Sequence, residues 1–154
     1  MAESIEQKVT KKLKSFVEEY DTLVDDYNTF LVIASGNKSP YLEWENRFNN
    51  LSHKLTKIIP YIYRKKVDFD EKRLSSLKDK YTISMHVSGG GEEKSWQRAD
   101  ALAGSCEAYT KAIDDKAFWW ESYKTIEVIQ SSIDNYKLEI THRLKIFEGK
   151  TNNE

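Results

Sequence analysis

Seven basic side chains lie close together in the middle of the chain, and aromatic residues are interleaved with them. The basic residues are Arg64, Lys65, Lys66, Lys72, Arg73, Lys78 and Lys80. With four acidic residues among them, the segment carries a net charge of +3 in a chain whose net charge is −1. Basic groups neutralise backbone phosphates, and aromatic rings stack on unpaired bases. The interleaved rings are those of Tyr61, Tyr63, Phe69 and Tyr81. The pattern indicates binding of single-stranded nucleic acid, and a solvated face between two helices is the alternative interpretation.

A second arrangement with chemical potential is the stretch "RFNNLSH", in which five residues separate Arg47 from His53. A histidine can act as general base or acid, and an arginine can hold a phosphate. The stretch looks similar to the Arg-His motif of the HEPN ribonucleases, which are all-helical and dimeric. This resemblance gives an alternative hypothesis of ribonuclease activity, although we predict that the chain is not an enzyme.

The remaining polar motifs point to no cofactor and no metal. Gly89–Gly91 are followed by two acidic residues, whereas a phosphate-binding loop needs Gly-Lys-Ser/Thr leading into a helix. Cys106, the one cysteine, lies on an apolar stripe and is predicted to be a small buried side chain. The histidines are too far apart in the sequence for a ligand motif; they are His53, His86 and His142.

Composition indicates one domain in a reducing compartment. The chain has 154 residues, of which 32% are charged and 12% aromatic, and its mean hydropathy is −0.70. The aromatic share argues against disorder, and a single cysteine allows no internal disulfide. We find no apolar leader and no run near the roughly 20 residues that a membrane span needs. We expect a soluble cytoplasmic protein with no membrane contact.

The first half of the chain is predicted to be helical. Apolar residues recur in steps of three and four from Ile5 to Leu31, which is typical of an amphipathic helix and predicts one over 1–35. Kinked and basic helices are expected over 39–80, with Pro40 in the first turn. Pro60 should kink or end the middle helix near Ile59.

The second half is predicted to be a loop followed by one helix. Asp68 and Glu71 resemble the capping box of the short basic helix that ends near Lys80. Apolar and polar residues then alternate over 81–88, which favours a short strand or extended arm. We therefore expect a flexible glycine-rich loop over 81–95, with Gly89–Gly91 as a hinge, and a very long C-terminal helix over 96–149.

The C-terminal helix carries an apolar stripe with a period near 3.5 residues, as in a coiled-coil seam. We interpret this stripe as an oligomer interface. Its residues are Trp120, Tyr123, Ile126, Ile133, Tyr136, Ile140, Leu144 and Phe147. Neighbouring residues on a helix point about 100° apart, so either Trp119 or Trp120 lies off the main stripe. Burial of both in one wide core is an equally weighted alternative. The predicted fold is all-α, an elongated helical bundle forming a single domain over 1–154.

Three stretches resemble the UvsY family of bacteriophage recombination mediators. They are "YLEWEN" at 41–46, "LKDK" at 77–80, and the terminal stretch "FWWESYKTIEVIQSSIDNYKLEITHRLKIFEGK". Members of that family are small, helical and oligomeric, bind single-stranded DNA, and load a recombinase onto strands coated by single-strand-binding protein. The resemblance implies that Lys78 and Lys80 contact DNA.

The leading hypothesis from the sequence is therefore a non-enzymatic single-stranded-DNA-binding accessory protein in phage-type recombination or replication. It would act as a homo-oligomer with a recombinase and a single-strand-binding protein as partners. A helical protein–protein adaptor or inhibitor without nucleic-acid binding is the first alternative. The ribonuclease using Arg47 and His53 is the second.

Overall fold

The computed structural model describes residues 2–33, 36–88 and 93–152. Within these ranges the chain forms five α-helices and no strand. They are α1 (Ile5–Ile33), α2 (Ser39–Asp68), α3 (Glu71–Ser88), α4 (Glu93–Ser105) and α5 (Glu107–Asn152). The prediction of an all-α fold with a long last helix is confirmed.

The described residues group into two compact units. The first unit comprises Met1–Pro60 and Lys124–Glu154, and the second comprises Tyr61–Tyr123. Helices α2 and α5 each contribute residues to both units. The single-domain organisation expected from the sequence stays a prediction.

An aromatic cluster from α1, α2 and α5 forms the core of the first unit. Tyr27 is fully buried and meets Trp44, Phe48 and Tyr136 edge-on, with ring centroids 5.5, 5.7 and 5.7 Å away. The Phe48 and Tyr136 rings are stacked, with centroids 5.2 Å apart. Because α1 presents its apolar stripe to α2 and α5 together, the period read from the sequence yields one continuous core.

Helix α1 begins at Ile5, later than the start of the range 1–35 predicted for it. Ser4 and Gln7 form a capping box, in which the Gln7 amide donates to Ser4 Oγ and the Ser4 amide donates to Gln7 Oε1. Helix α2 begins at Ser39 as predicted, but Pro60 does not end it, since the helix continues to Asp68.

The prediction that Asp68 caps the basic helix was wrong. Asp68 is the last residue of α2, and the Asp70 carboxylate accepts a hydrogen bond from the Arg73 amide at 2.9 Å. Asp70 directly precedes Glu71, the first residue of α3, so it occupies the N-cap position where a side-chain oxygen satisfies an unpaired amide.

The prediction of a strand or extended arm over 81–88 was also wrong. The prediction of a loop over 81–95 was wrong for those of its residues that the structure describes. Residues 81–88 continue α3, which packs against α4. The less exposed face of α3 includes polar side chains. His86 is buried and Thr82 is half-buried, whereas the apolar Ile83 and Val87 are exposed. The alternation of apolar and polar residues therefore did not indicate a strand, because the residues that α3 buries are not the apolar ones alone. Gly89–Gly91 lie outside the described residues.

The single helix predicted over 96–149 is two helices that meet at Cys106. Helix α4 ends at Ser105 and α5 begins at Glu107. The segment between Ala103 and Thr110 contains glycine, serine and cysteine, which are weak helix formers. The Cys106 carbonyl accepts from the Thr110 amide at 3.0 Å and so opens α5. Cys106 itself is half-buried.

Candidate nucleic-acid interface

The C-terminal part of α2 and the first turns of α5 bring basic and aromatic side chains together in the second unit. Ile62 is fully buried, so the residues on either side of it are directed towards the surface. On α5, Lys116, Trp120 and Tyr123 are spaced by four and three residues, which places their side chains on one face of the helix. We call the following group the basic–aromatic cluster: Tyr61, Tyr63, Lys65, Lys66, Lys116, Trp120 and Tyr123.

Lys66 lies at the centre of the cluster. Its Nζ is 4.3 Å from the ring centroid of Trp120 and 4.3 Å from that of Tyr123. The rings of Tyr63 and Tyr123 pack against each other, with centroids 5.6 Å apart. The ammonium therefore sits over two aromatic faces that attract a cation.

Lys65 and Lys116 lie at the edges of the cluster. Lys65 Nζ is 5.8 Å from the Tyr61 ring, which in turn meets Trp119 edge-on at 6.1 Å. Lys116 Nζ is 5.9 Å from the Trp120 ring and 3.1 Å from the carboxylate of Glu71. The cluster thus contains three ammonium groups, of which that of Lys116 is paired with an acidic side chain.

Several rings of the cluster are open to solvent. Trp120 is 45% exposed, Tyr61 42% and Tyr63 50%, whereas the adjacent Trp119 is 2% exposed. Exposed aromatic faces beside ammonium groups can stack on unpaired bases while the cations meet phosphates. Duplex DNA offers no such free base faces.

The predicted basic residues divide into two sets. Lys65 and Lys66 belong to the basic–aromatic cluster, and Arg64 is exposed beside them on α2. On α3, the Arg73 guanidinium covers the Phe69 ring at 4.7 Å, and Lys78 pairs with Asp100 of α4 at 3.8 Å. Lys72 and Lys80 are exposed. Within the described part of the chain, no ion pair or ring contact joins the side chains of the α3 set to Lys65 or Lys66.

Four of the eight residues predicted for the oligomer interface are buried in the chain's own core. The side chains of Ile126, Ile133 and Ile140 are at most 1% exposed and that of Leu144 is 9% exposed. Tyr123, Tyr136 and Phe147 are half-buried. Trp120, which the sequence placed on the stripe, is exposed, and Trp119 is the buried partner. The buried members of the stripe therefore contribute to the core of a single chain, and the role of the stripe as an oligomer interface stays a prediction.

Sequence reasoning did not assign Lys116 and Trp120 to the nucleic-acid surface. The signal was present as the spacing of Lys116, Trp120 and Tyr123, which matches one face of a helix. It was missed because the aromatic residues were assigned to a coiled-coil seam, and because the basic segment lies about 50 residues earlier in the sequence.

A separate groove of about 710 Å³ lies between α1 and α2 in the first unit, and both Arg47 and His53 line it. The Arg47 guanidinium covers the Trp44 ring at 4.3 Å and reaches Asp26 at 3.4 Å. Glu18 and Glu19 line the opposite wall, where Glu19 pairs with Lys54 at 2.9 Å. The two residues of the ribonuclease hypothesis therefore share a groove, but carboxylates face them.

Among the described residues, no three histidine, cysteine, aspartate or glutamate side chains come together in a way that could hold a metal ion. In the same part of the chain, no helix has both the length and the apolar character that crossing a membrane requires. Comparisons with protein-family models, with curated proteins and with solved structures give no match.

Proposed function

We propose that this chain is a non-enzymatic accessory protein of recombination or replication that binds single-stranded DNA and acts as an oligomer. The observation that supports the proposal is the basic–aromatic cluster, in which Lys66 lies 4.3 Å from the exposed Trp120 ring. Ammonium groups and open rings side by side match the two parts of an unpaired nucleotide, its phosphate and its base.

Local charge matters here because the whole chain carries a net charge of only −1. A protein of this charge has no long-range attraction for a polyanion. One subunit with three or four basic groups at the site binds weakly. Several copies on one strand convert later contacts into intramolecular ones and raise the overall affinity.

The finer parts of the proposal rest on the resemblance to the UvsY family. They are a mediator role, a recombinase and a single-strand-binding protein as partners, and action in the cytoplasm, the host's if the chain is of phage origin. The resemblance assigned DNA contact to Lys78 and Lys80. The ion pair of Lys78 with Asp100 favours moving the principal contacts to Lys65 and Lys66, with Arg64 and Lys80 as exposed auxiliaries.

A salt titration with fluorescein-labelled single-stranded DNA tests the proposal. If three to four phosphates are neutralised, the logarithm of the association constant should fall against the logarithm of salt with a slope of about −2 to −3. A duplex of the same length should bind more weakly, because its bases are paired. An absence of binding at about 50 mM salt would contradict the proposal and favour the protein–protein adaptor or inhibitor.

Ribonuclease activity is a second candidate, favoured by one observation: Arg47 and His53 line the same groove. Incubation of RNA with the wild-type protein and with His53→Ala tests it. Cleavage that the substitution abolishes would support this candidate. Cleavage that persists in His53→Ala, or no cleavage by either protein, would exclude it. We expect no cleavage, because Glu18 and Glu19 would repel a phosphodiester and Asp26 already holds Arg47.

A further inference from the structure

We infer that Trp120 is the residue on which a base stacks, and that Lys66 covers its ring until a strand binds. This inference rests on the proposed function, because it names the contact through which that function would read an unpaired base. It assigns to Trp120 a role that differs from the coiled-coil role suggested by its position in the sequence.

The first step is the difference between the two neighbouring tryptophans. Trp119 is 2% exposed and Trp120 is 45% exposed, as expected for side chains that point about 100° apart on a helix. The Trp119 ring packs against Phe118 and Tyr61, with centroids 4.9 and 6.1 Å away. The Trp119 ring is therefore enclosed by packing, while the Trp120 ring is open to a ligand.

The second step concerns the ammonium group of Lys66, which covers one face of the Trp120 ring. Lys66 Nζ lies 4.3 Å from the centroid of Trp120, and Lys116 Nζ lies 5.9 Å from it. An exposed cation–π contact corresponds to roughly a 2- to 5-fold preference, and a stacked base to roughly 5- to 150-fold. A base therefore displaces the ammonium, and not the reverse.

The third step concerns the destination of the displaced group. A nucleotide that places its base on Trp120 also places a phosphate nearby. The Lys66 ammonium then leaves its cation–π contact with the Trp120 ring and forms an ion pair with this phosphate. Lys116 differs, because Glu71 already holds its ammonium at 3.1 Å. Lys66 is thus the mobile cation of the site, and Lys116 is the fixed one.

The experiment compares two labelled oligonucleotides of equal length and equal phosphate number, one with thymine bases and one abasic. The wild-type protein should bind the thymine strand at least about fivefold more tightly than the abasic strand. Trp120→Leu should lose most of this preference, because the remaining exposed rings of the cluster are the smaller ones of Tyr61 and Tyr63. Trp96→Leu is the control, because Trp96 is similarly exposed (43%) but its ring is stacked on His86; it should keep the preference.

A second measurement separates Lys66 from Trp120. Lys66→Gln should make the salt slope less negative by about 0.7, which is the contribution of one phosphate on a single strand, and should keep the preference for bases. Trp120→Leu should leave the salt slope unchanged. Circular dichroism of each variant establishes that it retains its helices.

The outcomes distinguish this inference from the proposed function. If neither oligonucleotide binds, the proposed function fails. If the wild-type protein binds the thymine and abasic strands equally, or Trp120→Leu keeps the preference, the stacking role of Trp120 is wrong while binding through charge stands. If Lys66→Gln leaves the slope unchanged, the transfer of Lys66 to a phosphate is wrong.

Discussion

Tyr27 is the residue on which the aromatic core of the first unit converges, and its ionisation should influence stability at high pH. Burial, with a smaller effect of Glu139, raises its pKa from 10.0 to about 12. The folded state therefore holds the phenolic proton more tightly than the unfolded chain does. The resulting stabilisation is complete below pH 10 and is lost as the pH rises through about 12.

We predict that the unfolding free energy of the wild-type protein falls by up to about 2–3 kcal/mol from this group between pH 10 and pH 12. Tyr27→Phe removes the titrating proton and should lose that share of the pH dependence. Urea unfolding followed by circular dichroism across this pH range measures the effect. Identical pH profiles for the two proteins would show that Tyr27 ionises as freely in the folded state as in the unfolded chain.

At the scale of single helices, the cap of α3 offers a matched pair of substitutions. Asp70→Ala removes the acceptor for the Arg73 amide and should destabilise the protein by about 1 kcal/mol. Asp68→Ala should cost little, because Asp68 accepts from the Arg73 guanidinium through its backbone carbonyl, which the substitution keeps. Urea unfolding of both variants measures the difference, and an equal cost would refute the assignment of Asp70 as the cap.

The helices that the sequence predicted correctly are those in which an apolar stripe coincides with the buried face. This holds for α1 and for the start of α2. Two features could not be read from the pattern, the helical conformation of 81–88 and the interruption at Cys106. In the first, the covered face of α3 includes His86 and Thr82, so burial and hydrophobicity do not coincide. In the second, weak helix formers interrupt the helix without interrupting its apolar stripe.

Only part of the candidate site could be predicted from the sequence. Lys65 and Lys66 were found because they are adjacent to other basic residues. Lys116 and Trp120 were not, because only packing of α5 on α2 brings them beside Lys66. A stripe of aromatic residues does not by itself reveal whether its partner lies in the same chain or in another subunit.

At the scale of the whole molecule, substitutions on α5 can distinguish a role in the core from a role in an interface between subunits. Ile133 is fully buried, so Ile133→Ala should cost about 2–5 kcal/mol of stability. Val128 on the same helix is 59% exposed, and Val128→Ala should change stability by no more than about 0.5 kcal/mol.

Urea unfolding and light scattering of both variants test this prediction. The expected pattern is a large loss of stability for Ile133→Ala and a small one for Val128→Ala. An Ile133→Ala protein that is as stable as the wild type, but has a lower mass in solution, would instead place Ile133 at an interface between subunits.

The central claim is that single-stranded DNA binds at the basic–aromatic cluster through local charge rather than through the charge of the whole chain. Two double variants test it, Lys65→Glu with Lys66→Glu, and Lys8→Glu with Lys12→Glu. Both lower the net charge by the same amount, and Lys8 and Lys12 are exposed on α1 in the other unit. In the same salt titration, the first should weaken binding by about tenfold or more and flatten the slope, while the second should bind like the wild type. Equal weakening by both variants, or none by either, would contradict the account.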